Sequence, residues 1–251
     1  MKRSDLNFAP VIAILVLIAI WEAACHIFSI PDFIFPSPSN IVEAFNKVGI
    51  SVWWEHSYST IKTCIVGFLL SFTLALIAAI AMTSSRTIKN TFYPLLVIIQ
   101  STPIVAIAPL LTVMLGTGEP PRVIITVLIT FFPLVVSMTT GLSSTPQEFL
   151  ELSRSIGAPK YREYTQIRFP YAVPFIFSGV KIAITLSIVG AVVAEFVAAE
   201  RGLGYFIQFS TSYFSIANAF AGLVLLSLLS LLLFYSTLLL HKLIFPWSKS
   251  S

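Results

Sequence analysis

Long apolar runs, each separated from the next by a short polar segment, dominate the pattern of this sequence. Six runs stand out, at positions 8–28, 60–82, 93–115, 123–142, 175–199 and 217–240. About 20 apolar residues are enough for an α-helix to cross the hydrocarbon core of a bilayer. Backbone polar groups in lipid must be satisfied within their own segment, so we predict helices rather than strands. The pattern predicts an all-α polytopic membrane protein with six transmembrane helices, in a single domain over 1–251.

Composition supports a membrane location for these runs. Hydrophobic residues make up 57% of the chain and charged residues 10%, and the mean hydropathy is +0.91. Soluble domains average about 25% charged residues, so this chain lacks the polar surface that water requires. The net charge is +4, and no basic run is dense enough to predict a nucleic-acid partner.

Positive charge is distributed unevenly between the segments that connect the spans. If the N-terminus is cytoplasmic, the outer segments hold only Lys47, Arg122 and Arg201. The cytoplasmic segments then hold ten basic residues: Lys2, Arg3, Arg86, Lys89, Arg154, Lys160, Arg162, Arg168, Lys242 and Lys249. Cytoplasmic loops of membrane proteins carry an excess of Lys and Arg. We therefore expect both termini and the polar insert at 143–174 to be cytoplasmic.

The segment 29–59, on the predicted outer side, favours a short helix that lies on the membrane surface. Ser39 is a candidate N-cap, and Ile41, Phe45 and Val48 follow on one helical face. Three aromatic residues then fall where the chain re-enters the membrane, as in an interfacial belt: Trp53, Trp54 and Tyr58.

Prolines interrupt the third apolar run and make it a candidate for the transport pathway. Pro94, Pro103 and Pro109 each remove a backbone donor, and Gln100, Ser101 and Thr102 precede the middle proline. Discontinuous helices commonly mark transport sites, which favours a pathway lined by Gln100, Ser101, Thr102 and Pro103. A kinked packing helix, whose Ser101 and Thr102 hydroxyls bond to their own backbone, remains the alternative.

The polar insert predicts two short helices at an angle. Thr145, Pro146 and Glu148 form a capping box with a proline at the first helical position. Gly157 then ends this first helix, because glycine adopts the positive φ that a helix C-terminus often needs. A second helix is expected after Ala158-Pro159, ended by Pro170 and Pro174. Such a knob can lie in a groove of a partner protein.

The spacing within the insert resembles a known motif. Glu151 is followed after five residues by Gly157, and after nine more by Ile167-Arg168-Phe169-Pro170. This pattern is similar to the EAA loop of permease subunits of bacterial ABC importers of the nitrate/sulfonate/taurine type. Leu152 and Ser153 depart from the family's small residues after the glutamate. The resemblance implies contacts to an ATPase through Glu151, Ser153, Gly157, Ala158, Tyr164, Ile167 and Pro170.

The resemblance also implies partners and a location. In that family the permease is a homodimer of six-span subunits in the bacterial inner membrane, with a cytoplasmic coupling-helix insert. Two separate ATPase subunits bind ATP and Mg, and a periplasmic or lipid-anchored binding protein delivers a small polar solute. This sequence has no P-loop pattern, so we expect no cofactor and no enzymatic site on this chain. The stretches 101–106 and 193–196 are slightly more similar to importers of vitamin precursors than to sulfonate importers.

Four ionisable residues fall within the apolar runs, and intramembrane charge is a candidate for function by default. Glu22, Lys62 and Lys181 lie near membrane ends, where side chains can reach the headgroups. Glu195 lies among small residues that permit close helix approach. It is expected either to pair with a cation such as Arg201 or to line the outer mouth of the pathway.

Two other classes of function remain as alternatives. An intramembrane protease would need a pattern such as Gly-x-Ser-Gly, and Gly141-Leu142-Ser143-Ser144 lacks the second glycine. The three histidines lie near membrane ends, and no metal-ligand spacing is present. A secondary transporter would work without an ATPase, but it leaves the insert unexplained.

Overall fold

The computed structural model describes residues 9–248, and within this range the regular structure is helical. The elements are α1 Ala9–Ile27, α2 Pro38–Val48, α3 Ile50–Ser84, α4 Arg86–Ser101, α5 Ile104–Leu115, α6 Glu119–Ser143, α7 Gln147–Ser155, α8 Lys160–Arg162, a π-helical stretch Glu163–Arg168, α9 Phe169–Ala198, α10 Leu203–Ser212 and α11 Ile216–Ile244. Phe8 and three residues counted for orientation, Lys2, Arg3 and Lys249, lie outside the described residues.

The centre of the bundle is formed by α3, α6 and α9. Its core contains Ala75, Leu134, Met138 and Ala183, all fully buried. Small residues let these helices approach closely: a Cβ on Gly190 would lie 2.9 Å from the Cα of Thr126. Close backbone approach is the usual basis of helix packing in membranes, where the hydrophobic effect does not drive helices together.

Five described helices are long and apolar enough to cross a membrane, and a sixth span results if α4 and α5 count as one. These two helices are bent by 92° at Thr102-Pro103. Thr102 is extended because a residue before proline is disfavoured in the helical region. The expected break at Pro103 is therefore observed, whereas Pro94 and Pro109 lie inside α4 and α5 and break neither helix.

The second span is longer than its apolar run. Helix α3 has 35 residues, which at 1.5 Å per residue exceeds the roughly 30 Å hydrocarbon core. Its first turn contains Trp53, whose indole is buried between Phe45 and Phe206 and whose Nε1 donates to the Phe45 carbonyl at 2.9 Å. Trp53 is therefore packed inside the protein and is not exposed in an interfacial belt as predicted, because Phe206 from a distant part of the sequence helps to bury it.

The predicted surface helix is present as α2, with a different cap. Ser37, not Ser39, accepts a hydrogen bond from the Asn40 backbone at 3.3 Å. Ser39 instead donates its hydroxyl and its backbone N–H to the carboxylate of Glu22, at 2.8 and 3.0 Å. Glu22 thus ties the end of α1 to the start of α2. Cys25 and Cys64 are both free and buried.

Candidate functional site

The first arm of the insert is α7, and its start differs from the prediction. Pro146 is extended and precedes the helix, so Thr145 lies one position too early to cap it. The Thr145 hydroxyl is buried and makes no hydrogen bond to the described residues. The expected capping box was therefore wrong, although α7 itself is present.

The turn after α7 is a Schellman motif centred on Gly157. Gly157 has φ +68°, its N–H donates to the Arg154 carbonyl, and the N–H of Ala158 donates to the Ser153 carbonyl, both at 3.0 Å. These are the two bonds that define this helix end. The prediction that Gly157 terminates the helix with positive φ is confirmed.

The second arm does not end at Pro170 or Pro174. Helix α8 continues through the π-helical stretch into α9, so one apolar helical run extends over Lys160–Val197. In the π stretch the N–H of Phe169 donates five residues back, to the Tyr164 carbonyl. Pro170 then falls in the first turn of α9, where a missing N–H is tolerated. The second arm is therefore the beginning of a membrane-spanning helix.

Glu163 is buried where the two arms meet and lies between two arginines. Arg168 Nε donates to Glu163 Oε1 at 2.7 Å, and Arg168 Nη1 donates to the Leu142 carbonyl at 3.0 Å. Arg154 Nε lies 3.9 Å from the other carboxylate oxygen of Glu163. Sequence reasoning missed this cluster because residues 163 and 168 are five apart, a spacing that only a π-helical turn brings to one face.

Tyr164 faces the protein. Its hydroxyl lies 2.9 Å from Ser84 Oγ and 3.2 Å from Thr83 Oγ1, at the end of α3. The Arg168 guanidinium lies 5.2 Å from its ring centroid. Tyr164 is half-buried by these internal contacts, and its contact to an ATPase stays a prediction.

The remaining predicted coupling residues divide by exposure. Glu151 and Gly157 are exposed, Ala158, Ile167 and Pro170 are half-buried, and Ser153 is buried. The prediction that Ser153 is available to a partner is therefore corrected. The largest exposed apolar side chains of the insert were not among the predicted contacts: Leu152 at 60%, Ile156 at 74% and Tyr161 at 75% exposure. We call Glu151, Leu152, Ile156 and Tyr161 the coupling face.

At the break between α4 and α5, the hydroxyls bond to their own backbone. Ser101 Oγ donates to the Val97 carbonyl at 2.8 Å, and Thr102 Oγ1 donates to the Ile98 carbonyl at 3.1 Å. The Ile99 carbonyl, which Pro103 cannot bond, accepts from the Thr102 N–H at 3.2 Å. Gln100, Ser101, Thr102 and Pro103 are all exposed. Their role as a pathway stays a prediction.

Glu195 is fully buried and organises the start of α10. One carboxylate oxygen accepts from the Gly204 N–H at 2.8 Å, and the other lies 2.8 Å from Thr60 Oγ1. Thr60 Oγ1 in turn accepts from the Leu203 N–H at 2.8 Å. The expected pairing with Arg201 was wrong, because Arg201 pairs with Glu55 at 3.1 Å. Since Glu195 has no exposed surface, it does not line a mouth either.

A cavity of about 630 Å³ opens at the end of the bundle opposite the insert. Its walls come from the first half of α3, the start of α6 and the loop between α9 and α10: Trp54, Glu55, Tyr58, Ser59, Lys62, Thr117, Gly118, Glu119, Arg122, Glu200 and Arg201. An ion pair between Lys62 and Glu119 joins α3 to α6. We call this space the end cavity. The sequence did not indicate it, because its walls come from three distant segments.

Known proteins share this sequence pattern and this fold. Residues 71–250 match the family described as "Binding-protein-dependent transport system inner membrane component". A probable ABC transporter permease protein of Haemophilus influenzae is 35% identical over 240 residues, which cover 95% of this chain and 97% of the relative. The formylaminopyrimidine transport permease protein ThiX of Halalkalibacterium halodurans is 33% identical over 249 residues, with 99% of both chains covered. The riboflavin transport system permease protein RibX of Chloroflexus aurantiacus is 31% identical, over 95% of this chain and 90% of that protein.

A solved structure gives independent support to the fold. An inward-facing structure of the MetNI methionine ABC transporter superposes with a TM-score of 0.67 at 18% identity, covering 78% of this chain and 99% of the matched chain. At this identity the likeness concerns the fold alone. It confirms the predicted all-helical fold of the type I importer permeases.

Proposed function

The chain belongs to the family of binding-protein-dependent transport system inner membrane components, and from that premise we propose how its parts work within an ABC importer. It is a permease subunit, a transport component whose ATPase is a separate subunit. Membership of this family excludes the two alternative functions, a secondary transporter and an intramembrane enzyme. We propose that ATP and Mg bind to that separate subunit, and that this chain contributes the path through the membrane and the segment that couples the path to the ATPase.

The coupling face is proposed to dock into a groove of the ATPase. Leu152, Ile156 and Tyr161 are the most exposed apolar side chains of the insert, which suits insertion of a short helix into a groove. The Schellman turn at Gly157 and the Glu163–Arg168 pair hold the knob at a fixed angle. A rigid knob can pass on a movement of its partner, whereas a flexible loop would absorb it.

The helical run Lys160–Val197 gives that movement a direct route through the molecule. It begins within the insert, and its last turn carries Glu195, which binds the start of α10 beside the end cavity. Displacement of the insert would therefore act on both ends of one packed helix, without an intervening loop. This continuity is the single observation that best supports a coupling role for the insert.

A second copy of the chain is proposed to complete the pathway. Helix α5 exposes Val105, Leu110, Val113 and Met114, and the break at Gln100–Pro103 is also exposed. These surfaces need either lipid or a partner, and a homodimer would place two such breaks around a central path. A periplasmic or lipid-anchored binding protein would deliver a small polar solute to the end opposite the insert, with both termini in the cytoplasm.

Co-purification of the ATPase tests the proposal. The permease and its ATPase are expressed together, and Leu152→Ala, Ile156→Ala and Tyr161→Ala are introduced singly and together. The triple variant is expected to lose most of the bound ATPase, since burial of a large apolar side chain contributes about 1.5–3 kcal/mol. Ile34→Ala, equally exposed but in the loop before α2, is the matched control and should retain it. Full retention of the ATPase by the triple variant would contradict docking through this face.

A further inference from the structure

The end cavity carries a stripe of aromatic and basic side chains along α3. Trp54, Tyr58 and Lys62 are spaced four residues apart, so they lie on one face of the helix. Trp54 is 72% exposed and Tyr58 60% exposed, although both line a concave space. Two aromatic faces in a cavity are suited to stacking against a planar ring.

Arg122 and Glu200 also line the cavity and supply polar groups with capacity for further hydrogen bonds. Arg122 donates from Nε to the Gly118 carbonyl at 2.8 Å and from Nη1 to Ser59 Oγ at 3.2 Å. A guanidinium has five N–H donors, so these bonds leave donors on Arg122 for a ligand. Among the described residues neither Arg122 nor Glu200 forms an ion pair, so the wall offers both a donor and an acceptor.

The charges around the cavity balance. Three cations and three anions line it: Lys62, Arg122 and Arg201, and Glu55, Glu119 and Glu200. A site for a small inorganic anion needs an excess of positive charge, because the anion loses its hydration on binding. A balanced wall instead suits a neutral, polar ligand that offers both donors and acceptors.

We propose that the end cavity is a binding site for the solute, and that the solute is a planar heteroaromatic ring. The ring would stack against Trp54 and Tyr58, while Arg122 and Glu200 bond to its edge. The volume of about 630 Å³ falls within the usual range for small-molecule sites, about 300–1,000 Å³. The inference rests on the proposed function, and it is consistent with relatives whose names specify a formylaminopyrimidine and riboflavin.

Equilibrium dialysis on the purified permease–ATPase complex tests this site. The probes are riboflavin, a formylaminopyrimidine, and taurine as a small polar compound without a ring. At least one ring compound is expected to bind at least tenfold more tightly than taurine. Trp54→Ala should weaken its binding roughly tenfold, about 1.4 kcal/mol, because the variant loses a stacking surface for the ring. Trp54→Phe should retain most of the affinity, and Trp247→Ala, an exposed tryptophan that follows α11, should change nothing.

The outcomes separate this inference from the proposed function. Ring compounds that bind no better than taurine, or unchanged affinity in Trp54→Ala, would overturn the site while a bound ATPase still supports the permease. If Trp54→Ala and Arg122→Gln weaken only the association of an external binding protein, the cavity is a protein-docking surface and the inference fails. Loss of the ATPase from the unsubstituted complex would instead count against the proposed function.

Discussion

Glu195 shows how one buried carboxyl group can determine the shape of a loop. It accepts the Gly204 N–H, and through Thr60 it also fixes the Leu203 N–H. These are amide groups of the first turn of α10, which have no partner within their own helix. Glu195 thus supplies a cap from a neighbouring helix. Burial of a polar group without such a bond would cost about 1–3 kcal/mol.

Gly202→Ala is expected to disrupt this cap. Gly202 has φ +127°, and a Cβ there would overlap the carboxyl group of Glu195. Gly49→Ala is the matched control, because Gly49 has φ +80° with nothing within 4 Å of a Cβ. In both variants the positive φ lowers the free energy of unfolding by about 1–2 kcal/mol. In Gly202→Ala, overlap with Glu195 lowers it by about 1–3 kcal/mol more. Thermal unfolding in detergent should show the larger loss for Gly202→Ala; equal losses would contradict the cap.

Gly157 gives a second prediction at the scale of the residue. Gly157→Val forces a β-branched residue toward φ +68°, which is strongly disfavoured, whereas Gly157→Asn keeps a residue type that tolerates this region. We expect the Val variant to insert normally and to lose ATP-driven uptake and the bound ATPase. The Asn variant should show uptake and ATPase binding close to those of the unsubstituted protein.

Glu151→Lys, which leaves the backbone unchanged, should weaken ATPase binding through charge alone. Full transport by Gly157→Val would count against a fixed knob.

At the scale of the element, prolines show what a sequence can and cannot predict. Pro103 breaks its helix as expected, because it lacks the donor for the Ile99 carbonyl and makes Thr102 extended. The Thr102 N–H bonds to that carbonyl instead, and the Ser101 and Thr102 hydroxyls bond to the carbonyls of Val97 and Ile98. Pro170 and Pro174 were expected to end a helix and do not. The π-helical stretch shifts the hydrogen bonds by one residue before Pro170. Contacts to other helices hold that shift, from Tyr164 to Ser84 and from Arg168 to the Leu142 carbonyl. No local pattern encodes those contacts.

The break between α4 and α5 carries its own prediction. Ser101→Val and Thr102→Val together remove two hydroxyls that bond to the carbonyls of Val97 and Ile98. If these groups also face a polar path at the centre of a dimer, uptake should fall severalfold while the ATPase stays bound. Thr112→Val is the matched control, since its hydroxyl bonds back to Ala108 within α5. Unchanged uptake kinetics in the double variant would assign the break to packing alone.

At the scale of the whole molecule, the bundle has two distinct ends. The insert, the end of α3 and the last turn of α11 share one end, as Tyr164 contacts Ser84 and His241 stacks on Phe177 near the start of α9. The aromatic and charged end cavity lies at the other.

The apolar runs, the insert and the glycine turn could be predicted from the sequence because their signals are local. The Glu195–Thr60 contact joins residues 135 positions apart, and the cavity joins residues as distant as Trp54 and Arg201, so only the packed bundle shows them.

The distribution of positive charge predicts which end faces the cytoplasm, and this prediction can be tested directly. Of the ten basic residues assigned to the cytoplasmic side, the seven that the structure describes lie at 86, 89, 154, 160, 162, 168 and 242, in the insert or next to the helix ends that it contacts. Moving them across a membrane would be costly. Single cysteines at Lys160 and Asn46, both exposed, are introduced into a protein lacking Cys25 and Cys64. An impermeant thiol reagent should label position 46 in intact cells and position 160 only in inside-out vesicles, since the insert must reach a cytoplasmic ATPase. Labelling at 160 but not at 46 in intact cells would reverse the orientation and would place the coupling face where no ATP is available.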